Sequence, residues 1–264
     1  MKKPIGISIL TEKGGVGKTT TTFNLGCALA KKGYAVLLVD LDKQRNLSMA
    51  CDSEKNRETK AKSVVDMVYT YLSMGSIGNA NDYIQHDPTN NLDYIESNKM
   101  LDAVNGFFDQ ITDKDERNHV FKKIFSSTEF EQYDYILFDS KTAIDILIQN
   151  SLCFAAFAII PVEVDTYSLM GLAEVIKKIQ NNQNIRIMGI LMNKVNMISN
   201  IERNLFDSFE QKYEGLLFET KIPEKKKHAK EPVLMKTGCV NMQGNKLAEY
   251  YMALADEVIE RSNV

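Results

Sequence analysis

Apolar residues in this chain fall into short continuous runs separated by stretches of helical spacing. The runs have no polar face, which is typical of strands in a parallel sheet covered by helices. They lie at 5–10, 34–40, 133–139, 153–164 and 186–194. The alternation of strands and helices predicts an α/β fold, a mostly parallel, doubly wound sheet with helices on both faces. We expect residues 1–264 to form a single nucleotide-binding domain.

The pattern is weaker elsewhere in the chain. Residues 92–95 and 216–224 predict further strands, and residues 242–259 predict a closing amphipathic helix. Residues 75–91 are rich in turn formers and predict a loop. Residues 106–130 predict two helices joined by a charged hinge at 113–117, for which a solvated turn is the simplest account.

Composition changes this picture little. Apolar residues make up 44% of the chain, and the net charge of −3 means that any contact with nucleic acid must come from a local basic patch. No apolar run approaches the ~20 residues of a membrane span. The cysteines are scattered, which predicts free thiols in a reducing cytoplasm rather than disulfides or a metal site. They are Cys27, Cys51, Cys153 and Cys239.

The strongest chemical signal is a glycine-rich loop between the first strand and the first helix. Glycines let successive backbone N–H groups turn inward, and a helix N-terminus adds unpaired donors, so the loop predicts a phosphate site. Within it, Lys18 can reach the β- and γ-phosphates and the Thr19 hydroxyl can bind Mg²⁺. The loop reads Lys13-Gly14-Gly15-Val16-Gly17-Lys18-Thr19-Thr20.

Carboxylates follow two other predicted strands at their carboxyl ends. Asp40 and Asp42 end the second run, and Asp139 ends the run at 133–139. The carboxyl ends of parallel strands meet at one edge of a sheet, where a carboxylate can hold the water shell of Mg²⁺ beside the phosphate loop. A role for Asp40 and Asp42 as turn and cap residues is the alternative reading.

These motifs resemble those of the ParA/MinD family of ATPases, and the resemblance covers nearly the whole chain. The loop resembles the family's deviant phosphate loop, and 40–46 matches the family's D-x-D-P-Q-G-N stretch except that Lys43 and Arg45 replace Pro and Gly. After Asp139, where the family has D-x-P-P, this chain has Ser140-Lys141-Thr142. Lys141 could contact phosphate or Asp42, or could simply be solvated.

The resemblance implies ATP and Mg²⁺ as cofactors and gives each residue a role. It implies that residues 13–20 bind the phosphates and that Lys13 crosses to the partner's nucleotide in an ATP-sandwiched homodimer. Lys18 and Asp42 act in hydrolysis, with Asp42 positioning the attacking water. Thr19 holds Mg²⁺ directly and Asp139 through water, and Asp42 is a further candidate ligand. Asn193 contacts adenine, while Pro223 and Glu224 belong to a loop that packs on the base.

The resemblance also implies partners. The acidic C-terminal residues disfavour the membrane-binding branch of the family. The DNA-binding branch remains, and the densest basic run could supply non-specific phosphate contacts or be an exposed solvated loop. Its residues are Lys225, Lys226, Lys227 and Lys230. A ParB-like or small centromere-binding adaptor would be the protein partner, and the location would be cytoplasmic, at the nucleoid when ATP is bound.

Two functions are compatible with the sequence. The first is a ParA-type ATPase that dimerises on Mg·ATP, binds DNA non-specifically to segregate plasmid or chromosomal DNA, and hydrolyses ATP weakly until a partner stimulates it. The second is an ATP-gated DNA-binding or cargo-positioning scaffold with little hydrolysis. The lysines and the arginine in the loops after Asp40 and Asp139 motivate the second.

Overall fold

The strands described below come from a computed structural model, which describes residues 3–51, 61–181, 185–196 and 200–263. They form one seven-stranded sheet. Each strand is four to eight residues long. The strands are β1 (Ile5–Ile9), β2 (Val36–Leu41), β3 (Ile84–Asp87), β4 (Leu92–Ile95), β5 (Tyr135–Ser140), β6 (Phe157–Glu163) and β7 (Arg186–Asn193).

The strand order across the sheet is β3-β4-β2-β5-β1-β6-β7. Every pairing is parallel except that of β3 with β4, which is antiparallel. The predicted, mostly parallel sheet is therefore confirmed. The central position of β1 matters for function, because the loop that follows β1 is flanked by the carboxyl ends of β5 and β6.

Helices cover both faces of this sheet, as the sequence predicts. They are α1 (Lys18–Lys31), α2 (Asn46–Cys51), α3 (Val64–Met74), α4 (Val104–Phe108), α5 (Lys114–Asn118), α6 (Val120–Phe125), α7 (Ile146–Phe154), α8 (Thr166–Gln180), α9 (Asn200–Lys212), α10 (Lys226–Leu234) and α11 (Ala248–Ser262). Among the described residues, no helix has the length and apolar character needed to cross a membrane.

The core has two parts, one on each face of the sheet. Strand β2 shows the division, because Leu37 and Val39 belong to one buried cluster while Val36 and Leu38 belong to the other. Successive side chains of a strand point to opposite faces, so a strand buried on both sides must be apolar throughout. The first cluster packs mainly against α3 to α9, and the second packs against α1, α2 and α11. Cys27, Cys51, Cys153 and Cys239 are free thiols, as predicted.

Several boundaries differ from the sequence prediction. The predicted loop 75–91 contains β3, a short strand at the edge of the sheet. Its hydrogen bonds to β4 make it a strand, although its own sequence has no strand pattern. Residues 216–224 form isolated bridges at Leu217 and Pro223 instead of a strand. The charged hinge at 113–117 is largely helix α5, and the closing helix begins at Ala248. Tertiary pairing explains β3 and the two bridges, whereas α5 begins at a local cap in which Asp113 accepts from Glu116 N.

A close approach between β1 and the end of α7 gives a stability prediction. A Cβ on Gly6 would lie 2.9 Å from the Ala155 Cα and 2.7 Å from a Phe154 ring carbon. We expect Gly6→Ala to lower the free energy of unfolding by roughly 1–3 kcal/mol, since overpacking forces the backbone to shift. Urea denaturation measures this change.

Gly106 provides the matched control, because a Cβ there meets nothing within 4 Å. It lies in α4, so Gly106→Ala should leave stability unchanged or raise it by about 0.5–1 kcal/mol through helix propensity. Equal effects of the two substitutions would contradict the packing account.

Candidate functional site

The phosphate loop owes its shape to left-handed glycines. Gly15 has φ 78° and Gly17 has φ 93°, values that side-chain-bearing residues rarely adopt. A Cβ on Gly17 would also lie 3.0 Å from the Asn193 Nδ2 atom. Gly17 is the N-cap of α1, and no side chain caps this helix. The first N–H groups of α1 are therefore available to an anion, which is the arrangement that binds phosphate.

Lys18 lies at the centre of this loop with its side chain folded back. Its Nζ donates to the Thr11 carbonyl at 3.3 Å and to the Lys13 carbonyl at 3.2 Å. The residue is 8% exposed, and burial lowers the pKa of its ammonium although Asp139 and Asp42 oppose that shift. The two backbone carbonyls occupy the ammonium in the empty protein. A bound phosphate would offer it a negatively charged acceptor instead.

Two buried carboxylates lie side by side at the carboxyl edge of the sheet. Asp40 of β2 and Asp139 of β5 are register partners, and neither is more than 1% exposed. Burial, together with the nearby Asp40, raises the pKa of Asp139 to about 8. Burial raises the pKa of Asp40 to about 6, against the hydrogen bonds that it receives. The edge therefore favours a cation or a proton at Asp139.

Asp40 has a structural role that the alternative reading of the sequence anticipates. Its carboxylate accepts from Ser48 N at 2.9 Å, from Ser48 Oγ at 2.6 Å and from Asp42 N at 3.0 Å. These bonds fix the loop between β2 and α2. They leave the neighbouring Asp42 half-buried, with its own carboxylate accepting from Gln44 N at 2.9 Å.

Asp139 has spare hydrogen-bonding capacity directed at the phosphate loop. Its Oδ1 accepts from Thr22 Oγ1 at 3.3 Å, whereas its buried Oδ2 lacks a hydrogen-bond partner in the described part of the chain. The Thr19 hydroxyl lies close enough to lower the pKa of Asp139. An unused buried carboxylate oxygen beside a threonine hydroxyl fits a magnesium ion with its water.

The protein alone supplies too few ligands for a metal. Within the described ranges, no three His, Cys, Asp or Glu side chains are grouped so that they could hold a metal ion. Mg²⁺ commonly keeps several waters and binds through one or two protein groups plus substrate phosphates. The residues present fit that mode of binding.

A cavity of about 510 Å³ adjoins the loop on the α11 side. Asn193, Pro223 and Glu224, the residues expected around adenine, line it together with Val16, Gly17 and Thr20 of the loop. Asn193 is 3% exposed, and its Nδ2 donates to Val16 O at 2.9 Å and to Thr21 Oγ1 at 3.1 Å. Both amide hydrogens are thereby used to brace the loop, so Oδ1, which has no hydrogen-bond partner among the described residues, is the atom left for a ligand.

The basic run lies in a helix beside this cavity. Lys225 is the N-cap of α10, and Lys225, Lys226 and Lys230 line the cavity. Lys226 pairs with Glu224 at 3.3 Å and Lys227 with Glu231 at 3.5 Å, and both lysines remain more than three-quarters exposed. The prediction of a loop is therefore wrong, because the run is helical, whereas the exposure of Lys226 and Lys227 agrees with the solvated alternative.

Two lysines near the loop have partners within the same chain. Lys13 is ion-paired with Asp165, which follows β6. Lys194 was not anticipated as a site residue, yet its Nζ donates to Gly15 O at 2.5 Å and pairs with Glu163. Its position directly after Asn193, at the end of a buried strand, is the only sequence signal for it.

Lys141 is not simply solvated. Its side chain is 15% exposed and pairs with Asp145 at 2.7 Å and with Asp102 at 3.3 Å. Lys43 pairs with the same Asp102 at 2.5 Å. Arg45 adopts a left-handed φ of 58° and pairs with Glu96 at 2.7 Å. The residues that depart from the family pattern are thus paired with carboxylates.

The chain resembles known proteins both in sequence and in fold. A family model described as an AAA domain matches residues 5–189. The sporulation initiation inhibitor protein Soj of Bacillus subtilis strain 168 is 29% identical over 259 residues, covering 96% of this chain and 97% of that protein. This similarity extends beyond the matched domain to nearly the full length of both chains.

Two solved structures show the same fold. A plasmid partition protein from Borrelia burgdorferi has a TM-score of 0.74 at 21% identity, covering 98% of this chain and all of that one. Cobyrinic acid a,c-diamide synthase from Mycobacterium smegmatis, with a bound ATP analogue and magnesium, has a TM-score of 0.77 at 20% identity. It covers 100% of this chain and 96% of that one. Such identities establish the fold alone.

The buried Asp139 predicts that the empty protein loses stability as pH rises. The unfolded carboxyl loses its proton near the usual value of 3.8, whereas the folded one keeps it to about 8. The contribution is fully present below about pH 4 and is lost as pH rises through about 8. Asp139→Asn removes this titration, so at pH 8 the variant should exceed wild type by roughly 1–3 kcal/mol in urea denaturation without nucleotide.

Asp82→Asn is the control, because this carboxylate is exposed and paired with Lys62 at 2.9 Å. The difference between Asp82→Asn and wild type should be the same at pH 5 and pH 8. An Asp139→Asn variant that gains nothing over wild type between pH 5 and pH 8 would contradict the assignment of the raised pKa.

Proposed function

The chain belongs to the ParA/MinD family of ATPases, and on that premise we propose that it binds Mg·ATP, dimerises across the nucleotide and binds DNA non-specifically to segregate plasmid or chromosomal DNA. The observation that carries the proposal is the convergence of Lys18, Thr19 and Asp139 at an uncapped helix N-terminus. The chromosome partitioning protein ParA of Myxococcus xanthus, 27% identical over 263 residues, supports the partition assignment.

The site residues divide the work of binding ATP. The loop N–H groups and Lys18 hold the phosphates, and the cavity beside Asn193, Pro223 and Glu224 receives the nucleoside. Thr19 and Asp139 would hold Mg²⁺, the latter through water, since the Asp139 Oδ2 has no hydrogen-bond partner among the described residues. The metal ion neutralises charge that develops on the phosphates.

Asp42 serves hydrolysis in this proposal. It follows β2, and its negative charge acts on both Lys18 and Asp139. A carboxylate at this position can orient a water for in-line attack on the γ-phosphate, since positioning and electrostatics supply most of the rate in phosphoryl transfer. We propose that this turnover is slow until a ParB-like or small centromere-binding adaptor stimulates it.

Lys13 links nucleotide binding to dimerisation. The ion pair with Asp165 keeps its ammonium on its own subunit. For the homodimer, we propose that Lys13 exchanges this partner for the phosphates bound to the second subunit. A phosphate carries more negative charge than one carboxylate, so ATP favours the exchange.

The lysines of α10 supply the DNA contacts in this proposal. Lys226 and Lys227 remain largely exposed despite their ion pairs, so phosphate groups can compete for them. Lys225 and Lys230 line the cavity proposed for the nucleoside, so the proposed DNA surface would adjoin the nucleotide. The protein would be cytoplasmic and would associate with the nucleoid when ATP is bound.

A second function has specific support. Lys43 and Lys141 lie in the two loops that should respond to the γ-phosphate. Both are paired with the carboxylate of Asp102. Such loops could bind ATP with little turnover, and the protein would then be an ATP-gated scaffold that binds DNA or positions cargo. Phosphate release well above the basal rate, with DNA and the adaptor present, would exclude this function.

Substitutions of Lys18 and Asp42 separate ATP binding from ATP hydrolysis. We expect Lys18→Ala to lose ATP binding, because the main phosphate cation is removed. Asp42→Ala should keep ATP affinity within about threefold but lower the hydrolysis rate by 100-fold or more, of the order lost with a transition-state contact. Isothermal titration and phosphate release measure the two. Normal turnover by Asp42→Ala would exclude it as the water-positioning residue.

DNA retention should depend on ATP. With ATP and Mg²⁺ the protein should retain DNA on a filter, whereas with ADP or no nucleotide it should not. Lys226→Gln/Lys227→Gln should weaken retention and lower the steepness of its salt dependence by about two counterions. The control, Lys62→Gln/Lys123→Gln, removes two exposed ion-paired lysines elsewhere. Equal retention with and without ATP would overturn the DNA switch.

A further inference from the structure

One carboxylate links the two loops beside the phosphate site. Asp102 lies in a short 3-10 helix, Leu101–Ala103, after β4. Its Oδ2 is 2.5 Å from Lys43 Nζ, in the loop after β2. Its Oδ1 is 3.3 Å from Lys141 Nζ, in the loop after β5. Each carboxylate oxygen therefore contacts a lysine from a different loop.

Asp102 is held on a fixed part of the protein. Leu101 and Val104, on either side of it, are fully buried in the core. The preceding residues are tied to Arg45 and to helix α2, because Glu96 pairs with Arg45 at 2.7 Å and Ser97 N donates to Ser48 Oγ at 3.1 Å. The two lysines lie on loops, so their side chains can leave while the carboxylate stays.

Both lysines lie within two residues of a carboxylate of the candidate site. Lys43 directly follows Asp42, whose charge acts on Lys18. Lys141 follows Asp139 by two residues, and the next residue, Thr142, has its Cγ2 3.8 Å from where a Cβ on Gly14 would lie. The loops that carry the lysines thus border the position expected for the γ-phosphate.

The ion pairs of Asp102 are open to exchange, although Lys141 is also held by Asp145 at 2.7 Å. Lys43 holds the pKa of Asp102 below its usual value, with a further contribution from Lys141. The side chains of Lys43 and Asp102 are 49% and 50% exposed, so solvent and a competing anion can reach them.

We propose that Asp102 is a positioning residue that competes with the γ-phosphate of ATP for Lys43 and Lys141. In the empty protein the carboxylate holds both ammonium groups. When ATP binds, the γ-phosphate takes the two lysine side chains from Asp102; ADP has no γ-phosphate and leaves them in place. The inference rests on the proposed binding of ATP at this site and adds a source of discrimination between ATP and ADP.

Asp102→Asn tests this competition. Removal of the carboxylate frees Lys43 and leaves Lys141 with Asp145 alone, so the affinity for a non-hydrolysable ATP analogue should rise by about threefold relative to that for ADP. Isothermal titration with Mg²⁺ gives both dissociation constants. Asp102→Glu keeps the charge and should restore the wild-type ratio. The carboxylate is half exposed, and a thermal melt confirms that each variant is folded.

Two comparisons exclude simpler explanations. Asp82→Asn removes an aspartate that is also in a 3-10 helix and paired with an exposed lysine, and it should leave the ratio unchanged. In a Lys43→Gln/Lys141→Gln background, Asp102→Asn should no longer alter the ratio. If it still does, Asp102 acts by direct repulsion of the phosphate and the inference is wrong.

The outcomes also separate this inference from the proposed function. Wild-type protein that binds neither nucleotide would overturn the proposed function and the inference together. Wild-type protein that binds both, with a ratio that Asp102→Asn does not change, would overturn the inference alone.

Discussion

The site depends on the register between β2 and β5, which places Asp40 and Asp139 side by side in the interior. Two carboxylates buried this way repel each other, and the fold tolerates them only because Asp40 accepts three hydrogen bonds and Asp139 can hold a proton. The same arrangement gives the empty site a preference for positive charge. The buried carboxylates therefore lower the stability of the empty protein while they favour binding of a cation. Such a conflict between stability and function is common at functional sites.

Lysines around the site are engaged by acceptors from the same chain. Lys13, Lys43, Lys141 and Lys194 each contact a carboxylate, and Lys18 contacts two backbone carbonyls. The positive charge that a polyphosphate requires is thus present before the ligand arrives, but it is already satisfied within the chain. In the proposed function, nucleotide binding is an exchange of partners for these lysines. The free energy needed to break the existing ion pairs lowers the affinity that each phosphate contributes.

Much of the fold was predictable because the central strands are buried on both faces and must be apolar without interruption. The phosphate loop was predictable for a local reason, since Gly15 and Gly17 occupy conformations that only glycine adopts readily. Strand β3 was missed because it is an edge strand defined by its partner. The helical state of the basic run was missed because Pro232 is the least favourable residue for a helix interior and the consecutive charged residues show no apolar periodicity.

Parts of the site depend on contacts that no local pattern reveals. Asp102 follows β4 without any motif, and only the tertiary fold brings it to Lys43 and Lys141. The double use of the Asn193 amide, which braces the loop with its nitrogen and leaves its oxygen free, likewise depends on the distance between β7 and α1. Sequence reasoning can name such residues, but it cannot assign their partners.

The most direct test of the central claim is the mass of the protein in solution with Mg²⁺ and either a non-hydrolysable ATP analogue or ADP, measured by light scattering after gel filtration. The account predicts a dimer with the ATP analogue and a monomer with ADP. It also predicts that Lys13→Ala binds the analogue but stays monomeric. A mass that does not depend on the γ-phosphate, or a Lys13→Ala variant that dimerises like wild type, would contradict it.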